Sequence, residues 1–276
     1  MSTTTVVRID SMQDDATLIL RWKVHLRAKR LTDRTIKIRT YYVERLAKHI
    51  PLANVTIDDL ETILANNRYS PETLKSIRSS WRNFYQWARL NGHLPTDPTE
   101  YLDPIRVPTR LPHLAPDHEL ATAIATATLP VRAMLQLARL ACLRLNEITE
   151  LHTNDRHGDW LHVLGKGNKQ RRIYLHPDLA HTLDRLEREQ GTGYYFPGRW
   201  TGHLHRETVH KWIKTACGHN PHSLRHAGAT AAYRATHDLR AVQQMLGHSS
   251  MAVTQRYLHL DDDSLQAVGM AMGLAA

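Results

Sequence analysis

The sequence predicts a mainly helical protein with one small β-hairpin, an α+β fold divided into two domains. Three observations support this fold class. Apolar residues recur at helical spacing along most of the 276 residues, often behind residues that cap helix N-termini. Prolines cluster near the middle of the chain, where a helix cannot continue. Downstream of them, two short runs flank a glycine-containing basic turn, which is the pattern of a β-hairpin.

Four helices are expected before the prolines. The spacing of apolar residues favours the first two over about residues 12–28 and 32–49. Thr56, followed by Asp59, indicates a capping box that begins the third helix. The fourth should begin after Ser70, a good N-cap that is followed by proline. Its apolar stripe, which we expect to be core, comprises Leu74, Ile77, Trp81, Phe84, Tyr85 and Ala88.

The prolines mark the domain boundary. Six of them fall between residues 95 and 116, a density that favours an extended connector. We therefore expect a helical domain at residues 1–98, a linker at 99–112 and a second domain at 113–276.

The second domain is expected to open with two helices, Asp117–Ala127 and Pro130 to about Glu150. Arg144 and Glu147 would lie on one face of the second helix, because they are three residues apart. Considered alone, such a pair is an ordinary helical ion pair. Later helices are expected at Pro177–Gln190, at Arg206–Cys217 and after Pro221.

A β-hairpin is expected between these helices, with strands at Trp160–Leu164 and Arg172–Leu175. The turn between them, Gly165–Arg171, is rich in glycine and cations. Its Gly-Lys-Gly triplet does not make a nucleotide-binding loop, because that motif needs a wider glycine spacing and a Lys-Ser/Thr pair before a helix.

A cluster of phosphate-seeking and proton-handling residues lies near the C-terminus. It includes His222, Arg225, the Gly247-His248 pair and Tyr257. The Arg225 guanidinium suits phosphate oxygens, and histidine moves protons near neutral pH. Tyr257 has a hydroxyl that can bond covalently to phosphorus. Gly247 can end a helix, which would leave His248 at the helix terminus. The cluster therefore indicates phosphoryl transfer through a covalent intermediate.

This cluster is similar to the C-terminal half of the signature of the tyrosine recombinases, the phage integrase family. The upstream half has counterparts too: Leu143–Glu147 resembles the first arginine box, and Gly165–Arg171 resembles the hairpin with the catalytic lysine. Several motifs in the family's order make a strong signal, which one short motif alone would not. The resemblance implies a helical core-binding domain followed by a tyrosine recombinase catalytic domain, in a small form without an arm-binding domain.

The resemblance also implies the roles of the residues that handle phosphate. Tyr257 is the nucleophile, and its attack on the DNA backbone gives a 3′-phosphotyrosyl link and a free 5′-hydroxyl. Arg144 and Arg225 hold the non-bridging oxygens of the phosphate. Glu147 is a supporting residue that orients its neighbours.

Proton transfer is assigned in the same way. Lys166 protonates the leaving 5′-oxygen, with Lys169 as the fallback, and His222 or His248 accepts the proton of the tyrosine. Cys142 departs from the family, which often has glycine at this position. Because a helix interior accepts cysteine readily, we expect little consequence from this change.

The charge of the chain agrees with a nucleic-acid partner. The formal net charge is +9 and the isoelectric point is about 9.7, a balance that favours binding to a polyanion. Between Arg21 and Lys48, ten Lys or Arg stand against two acids, Asp33 and Glu44. A solvated helix face is the ordinary interpretation, but beside a phosphoryl-transfer domain we favour phosphate contacts.

Neither a cofactor nor a metal is expected. His219, His222 and His226 have a metal-like spacing, which makes zinc the rival interpretation. The sequence offers no His-Glu-x-x-His motif and no cysteine pair to complete such a site, and zinc would leave Arg144 and Tyr257 without a role. Two guanidiniums can neutralise the phosphate, and a phosphotyrosine conserves the energy of the phosphodiester, so neither metal nor ATP is required.

The two cysteines, Cys142 and Cys217, do not make a disulfide framework, which favours a reducing compartment. Residues 1–10 lack the apolar region of a signal peptide, and no run approaches the ~20 apolar residues of a membrane span. We therefore expect a protein of the bacterial cytoplasm that acts at the nucleoid and has no membrane partner.

The predicted function is site-specific DNA recombination, by an integrase that integrates or excises a phage or mobile element. A Xer-type resolvase of chromosome or plasmid dimers is the main alternative. A topoisomerase-like nicking-closing enzyme and an inactive DNA-binding regulator are less favoured. The expected partners are double-stranded core attachment sites, further copies of the chain in a homotetramer on synapsed DNA, and a possible accessory directionality factor. The tail helix, with an apolar stripe of Leu265, Val268 and Met272, would link protomers.

Overall fold

The computed structural model describes residues 14–66, 68–108, 114–165 and 169–247. Over these ranges the protein is mainly helical, with two small antiparallel sheets, so the predicted α+β fold class is confirmed. The chain divides into two compact units, residues 1–109 and 110–276. None of the described helices is both long enough and apolar enough to span a membrane.

Four α-helices build the first unit. They are α1 (Asp15–Ala28), α2 (Asp33–Ala47), α3 (Ile57–Leu64) and α4 (Pro71–Leu90), with a 3-10 turn at Leu52–Asn54. The capping signals act as predicted: Thr56 and Asp59 form a capping box, and the Ser70 hydroxyl accepts from the Thr73 amide at 3.3 Å.

Aromatic side chains of α1 and α4 form the centre of this unit. Trp22 and Phe84 meet edge to face, with ring centroids 5.2 Å apart, and the buried Tyr85 hydroxyl donates to the Leu52 carbonyl at 3.1 Å. The predicted core stripe of α4 is confirmed, with Leu74 partly buried and the other members, Ile77, Trp81, Phe84, Tyr85 and Ala88, fully buried.

The first unit extends into the proline-rich segment. Leu94 and Leu102 belong to its core, and Arg78 Nε donates to the Leu102 carbonyl at 3.1 Å. The chain therefore stays packed against the first unit as far as Leu102, inside the segment predicted as linker.

The second unit contains seven helices and five short strands among the described residues. The helices are α5 (Asp117–Thr126), α6 (Leu129–Arg139), α7 (Leu145–Thr149), α8 (Pro177–Gln190), α9 (Arg206–Cys217), α10 (Pro221–Thr236) and α11 (Leu239–Leu246). The strands are β1 (Arg156–His157), β2 (Trp160–Gly165), β3 (Lys169–Tyr174), β4 (Pro197–Gly198) and β5 (Gly202–His203). Helix α6 is the central one, because it is buried along most of its length and packs against α8, α9 and α10.

The predicted hairpin is present as β2 and β3, and β1 adds a third antiparallel strand. Trp160 pairs with Tyr174, and Gly165 pairs with Lys169. Strand β3 therefore begins three residues earlier than the predicted Arg172. Leu161, Val163 and Ile173 turn inward to the core of the second unit.

The single helix predicted from Pro130 to Glu150 is wrong. Helix α6 ends at Arg139 and α7 begins at Leu145. Between them the Leu143 amide donates to the Leu137 carbonyl at 3.0 Å, which closes a corner in the chain. The periodicity of the sequence missed this corner because its apolar residues are buried just as those of a helix would be.

Cys142 is the residue that turns the corner, and its predicted place in a helix interior is also wrong. Its φ of +49° is in the left-handed region, which costs a non-glycine residue roughly 1 kcal/mol. Burial raises the pKa of its thiol to about 11, so the thiol stays protonated at neutral pH. Gly228 of α10 packs directly on the corner: an added Cβ would lie 2.7 Å from the Cys142 Sγ and collide with the Arg139 carbonyl oxygen. Glycine at this position therefore lets α10 approach the end of α6.

Candidate active site

Four of the seven predicted site residues are described: Arg144, Glu147, His222 and Arg225. The other three, Lys166, His248 and Tyr257, lie outside the described residues, as does the predicted tail stripe. The described residues next to them are Gly165, which ends β2, and Gly247, which follows α11.

The Glu147 carboxylate is the centre of a buried ionic network. Its side chain is 7% exposed. Arg171 donates to both of its oxygens, from Nη1 at 2.9 Å and from Nη2 at 2.7 Å. Arg144 donates to it twice more, from the backbone amide at 2.7 Å and from Nη1 at 2.9 Å. Arg225 Nη1 lies 3.9 Å from the same carboxylate. Three arginines from three separate parts of the chain therefore meet at one acid.

Arg144 occupies the N-cap position of α7, where its backbone amide is one of the groups that a helix leaves unsatisfied. The Glu147 carboxylate accepts from this amide, so the carboxylate also caps the helix. The pair was predicted on one face of a long helix; it lies instead across the start of a short one. This arrangement leaves the Arg144 side chain 34% exposed.

Arg225 is buried on α10, with a side chain that is 3% exposed. It donates from Nη1 to the Cys142 carbonyl and from Nη2 to the Leu246 carbonyl, the latter at 2.7 Å. Burial, followed by repulsion from Arg144, lowers the pKa of Arg225 to about 10, which still leaves the guanidinium charged at neutral pH. The corner at Cys142 therefore binds a site arginine directly.

The charge state of Glu147 follows from its partners. Burial by itself raises the pKa of a carboxyl group, but the hydrogen bonds and charge of Arg171, together with those of Arg144, outweigh burial and bring the pKa of Glu147 to about 2. The acid is ionised at neutral pH. Three guanidiniums against one carboxylate leave an excess of two positive charges, which suits an anionic ligand.

The C-terminal end of α11 joins the network. The last carbonyls of a helix lack partners within the helix and carry partial negative charge. Each of three successive carbonyls accepts from a different arginine: Met245 from Arg171 Nε at 2.9 Å, Leu246 from Arg225 Nη2 at 2.7 Å, and Gly247 from Arg144 Nη2 at 3.4 Å. Gly247 ends the helix as predicted, with a left-handed φ of +62°.

His222 lies at the exposed start of α10, one turn before His226. Their Nε2 atoms are 2.7 Å apart, so one ring donates a hydrogen bond to the other. His226, which the sequence analysis named only for its metal-like spacing, therefore contacts a residue that was predicted to be catalytic.

Arg171 is the site residue that the sequence analysis missed. With the strand predicted to begin at Arg172, Arg171 fell in the turn. Strand alternation from the buried Ile173 would have pointed Arg171 inward, and an inward-facing cation needs a partner. That signal was available had the strand been extended.

Within the described ranges, no group of three or more His, Cys, Asp or Glu side chains is arranged to hold a metal ion. The predicted spacing of His219, His222 and His226 therefore does not produce such a group. His219 instead bonds Glu119 at 2.8 Å, while His222 and His226 bond each other.

Residues 117–264 match the model of the phage integrase family. A tyrosine recombinase XerC of Xanthomonas campestris pv. campestris is 33% identical over 216 residues, which cover 72% of this chain and 67% of the relative. A tyrosine recombinase XerC of Neisseria meningitidis is 33% identical over 222 residues, which cover 73% of each chain.

Solved structures share the fold. The lambda integrase tetramer bound to a Holliday junction matches with a TM-score of 0.75 at 19% identity, covering 91% of this chain and 82% of that one. The Tn1549 transposon integrase in complex with transposon right end DNA matches with a TM-score of 0.70 at 15% identity, covering 94% and 99%. The family match, the XerC relatives and the arginine site together make this chain a member of the phage integrase family, a tyrosine recombinase that cuts and rejoins DNA at specific sites.

Proposed function

We propose that this recombinase integrates or excises a mobile DNA element, by strand exchange through a 3′-phosphotyrosyl intermediate on Tyr257. The observation that supports this most is the convergence of Arg144 and Arg225 on the end of α11, directly before His248 in the chain. Two guanidiniums at one place form a clamp for a phosphate. The same segment of chain leads on to the tyrosine.

The phosphate clamp has an accessible and a buried half. Arg144 is partly exposed and can reach a DNA phosphate, whereas Arg225 is held rigidly by two carbonyls. As Tyr257 bonds to phosphorus, negative charge builds on the non-bridging oxygens before the bond to the 5′-oxygen breaks. The excess of two positive charges offsets that build-up, and preorganised charges of this kind stabilise a transition state most effectively.

Two proton transfers complete the first step. The hydroxyl of Tyr257, with an ordinary pKa of about 10, must lose its proton as it attacks, and His222 or His248 accepts it. His226, which bonds His222, can pass that proton onward. Lys166, which follows β2 in the chain, donates a proton to the 5′-oxygen as it leaves. The 5′-hydroxyl of a second strand then attacks the phosphotyrosine and reverses both transfers, so no bond energy is lost.

The first unit supplies a second contact with DNA in this proposal. Exposed cations lie along α2, and Arg39 on α2 donates to Asn83 on α4 at 3.2 Å, which ties the two helices together. On α4, Lys75, Arg78 and Arg82 line a cleft of about 320 Å³. Both helices therefore present cations to a polyanion, and affinity should fall steeply with salt, by a slope of about −0.9 per neutralised phosphate.

Strand exchange between two duplexes needs several active sites. We propose a homotetramer on synapsed core sites, in keeping with the lambda integrase tetramer on a Holliday junction. An accessory directionality factor remains part of the proposal. The relatives named XerC favour a second candidate function, the resolution of chromosome or plasmid dimers.

A covalent-capture experiment tests the reaction. The full chain is incubated with a randomised pool of nicked duplexes, denatured, and the DNA that stays on the protein is sequenced. With wild type we expect to recover one recurrent sequence, and the duplex that carries it is called the captured duplex. Tyr257→Phe lacks only the hydroxyl and should form no adduct. An adduct with the Tyr257→Phe variant would contradict the assignment of the nucleophile.

Mixing two captured duplexes of different lengths then separates the candidate activities. A recombinase gives products of new length, a nicking-closing enzyme relaxes circles without exchange, and an inactive regulator only shifts intact DNA. Exchange between two linear duplexes and between sites on one circle should be compared, because strong preference for the circle favours dimer resolution over integration.

A further inference from the structure

Arg171 on β3 is a buried cation to which the proposed chemistry assigns neither a phosphate contact nor a proton transfer. Its side chain is 8% exposed. Each of its three nitrogens donates a hydrogen bond: Nη1 and Nη2 to Glu147 at 2.9 and 2.7 Å, and Nε to the Met245 carbonyl at 2.9 Å. A two-point pair between a guanidinium and a carboxylate is among the strongest and most directional contacts in proteins.

Strand alternation separates Arg171 from the next residue. Arg172 is exposed on the outer face of the hairpin and stacks over the Trp160 ring, 4.4 Å from its centroid. Arg171 lies on the inner face with the buried Ile173. Two adjacent arginines on one strand therefore have different surroundings, and they make a matched pair for experiment.

The first consequence of the Arg171 contacts concerns Arg144. Glu147 accepts from the Arg144 amide and from Arg144 Nη1, so the place of the carboxylate sets the place of that guanidinium. A carboxylate held at both oxygens by a rigid fork cannot rotate freely. Lysine provides a single point of charge and cannot reproduce the fork.

The second consequence concerns the end of α11. Besides the bond from Nε to Met245, the Arg171 Cδ would lie 3.0 Å from a Cβ added to Gly247. The arginine stem therefore packs against the residue that precedes His248. One side chain thus joins the hairpin, the start of α7 and the end of α11.

We infer that Arg171 is a positioning residue for strand transfer, which holds Glu147 so that the Arg144 guanidinium meets the scissile phosphate. It acts through Arg144 and does not itself contact the DNA. This inference rests on the proposed function. It also explains why a cation is buried here at all, since burial of a charge is justified only where its partners are fixed.

The test compares Arg171→Lys with its neighbour Arg172→Lys in the full chain. Adduct formation on the captured duplex is followed in a single turnover at saturating protein, and DNA affinity is measured separately. Misplacing a catalytic group by about 1 Å can cost on the order of 10²-fold, so we expect Arg171→Lys to slow adduct formation by at least about tenfold. Its dissociation constant for DNA should stay within about twofold of wild type. For Arg172→Lys, the rate of adduct formation and the dissociation constant should both stay within about twofold of wild type.

A double-mutant cycle distinguishes positioning from general stability. If Arg171 acts through Arg144, Arg171→Lys should cost less than about threefold in an Arg144→Ala background, because the group that it positions is gone. A loss as large as in wild type, or no loss in either background, would overturn the inference. If Arg171→Lys unfolds below the assay temperature, Glu147→Gln replaces it in the same cycle with the same expected coupling.

Different results would contradict the proposed recombination reaction and the positioning role of Arg171. If wild type forms no adduct on any duplex of the pool, the proposed function is wrong. If wild type forms the adduct and Arg171→Lys matches its rate, only the positioning role is wrong.

Discussion

Arg171 and Glu147 form a two-point ion pair, at 2.9 and 2.7 Å, between a hairpin strand and a helix start 24 residues away in sequence. Both side chains are buried, with 8% and 7% of their surface exposed. The pair joins the hairpin of β2 and β3 to the helix start that presents Arg144. Two segments of the family motif that are separated in sequence, Leu143–Glu147 and Gly165–Arg171, are thus held together by the last residue of each.

The two clamp arginines should differ in what their loss does to stability. Arg144→Ala and Arg225→Ala should each slow adduct formation by at least on the order of 10²-fold, as does loss of one preorganised donor to a charged transition state. Arg225→Ala should also lower the free energy of unfolding by about 1–3 kcal/mol, because the carbonyls of Cys142 and Leu246 lose their donor inside the protein. Adduct rates and urea unfolding measure the two effects. Equal stability of both variants would contradict the burial argument.

The stability of the second unit should depend on pH through Glu147. Its pKa is about 2 when folded, against an ordinary 4.5. A lowered folded pKa means that the unfolded state binds more protons, so the contribution is complete above pH 4.5 and is lost as pH falls towards 2. This contribution of Glu147 to the free energy of unfolding is on the order of 3 kcal/mol. Between these two pH values, the free energy of unfolding in urea should change less steeply with pH in Glu147→Gln than in wild type. Identical slopes would refute the contribution of Glu147.

Gly228 should tolerate no side chain. Gly228→Ala places a methyl group against the Arg139 carbonyl oxygen and the Cys142 sulfur, and overpacking of this kind costs about 1–3 kcal/mol. It should also slow adduct formation, because α10 carries Arg225. Gly218→Ala is the matched control, because Gly218 has a φ of +75° and no atom lies within 4 Å of an added Cβ. This variant should lose roughly 1 kcal/mol of its free energy of unfolding and keep its activity. Equal loss of activity in both variants would mean that the contact with the corner is unimportant.

Adduct formation should survive removal of divalent metal. In the proposed mechanism, the Arg144 and Arg225 guanidiniums supply the positive charge that a metal ion would otherwise provide at the phosphate. The single-turnover rate in excess EDTA should match the rate without it. A loss that added zinc or magnesium reverses would revive a metal-dependent mechanism.

The helices illustrate what local sequence can predict. The capping signals act as their chemistry predicts, because a cap depends on residues within one helical turn. They are Ser70 followed by proline, the capping box of Thr56 and Asp59, and the glycine after α11. The corner at Cys142 was missed because it depends on residues that are distant in the sequence. Its left-handed backbone is stabilised by Gly228 and Arg225, which come more than eighty residues later, with a separation of 83 between Cys142 and Arg225.

The sequence by itself determined most of the helical segments, the hairpin, the family signature and which side chains are suited to phosphate chemistry, since these follow from residue type and short spacing. Only the tertiary structure decided that Arg144 occupies the N-cap position of α7, that Arg171 holds Glu147, and that three arginines share the end of α11. These contacts join residues up to 103 positions apart. Long-range pairing of buried charges depends on which surfaces pack together, and no local pattern in the sequence specifies that packing.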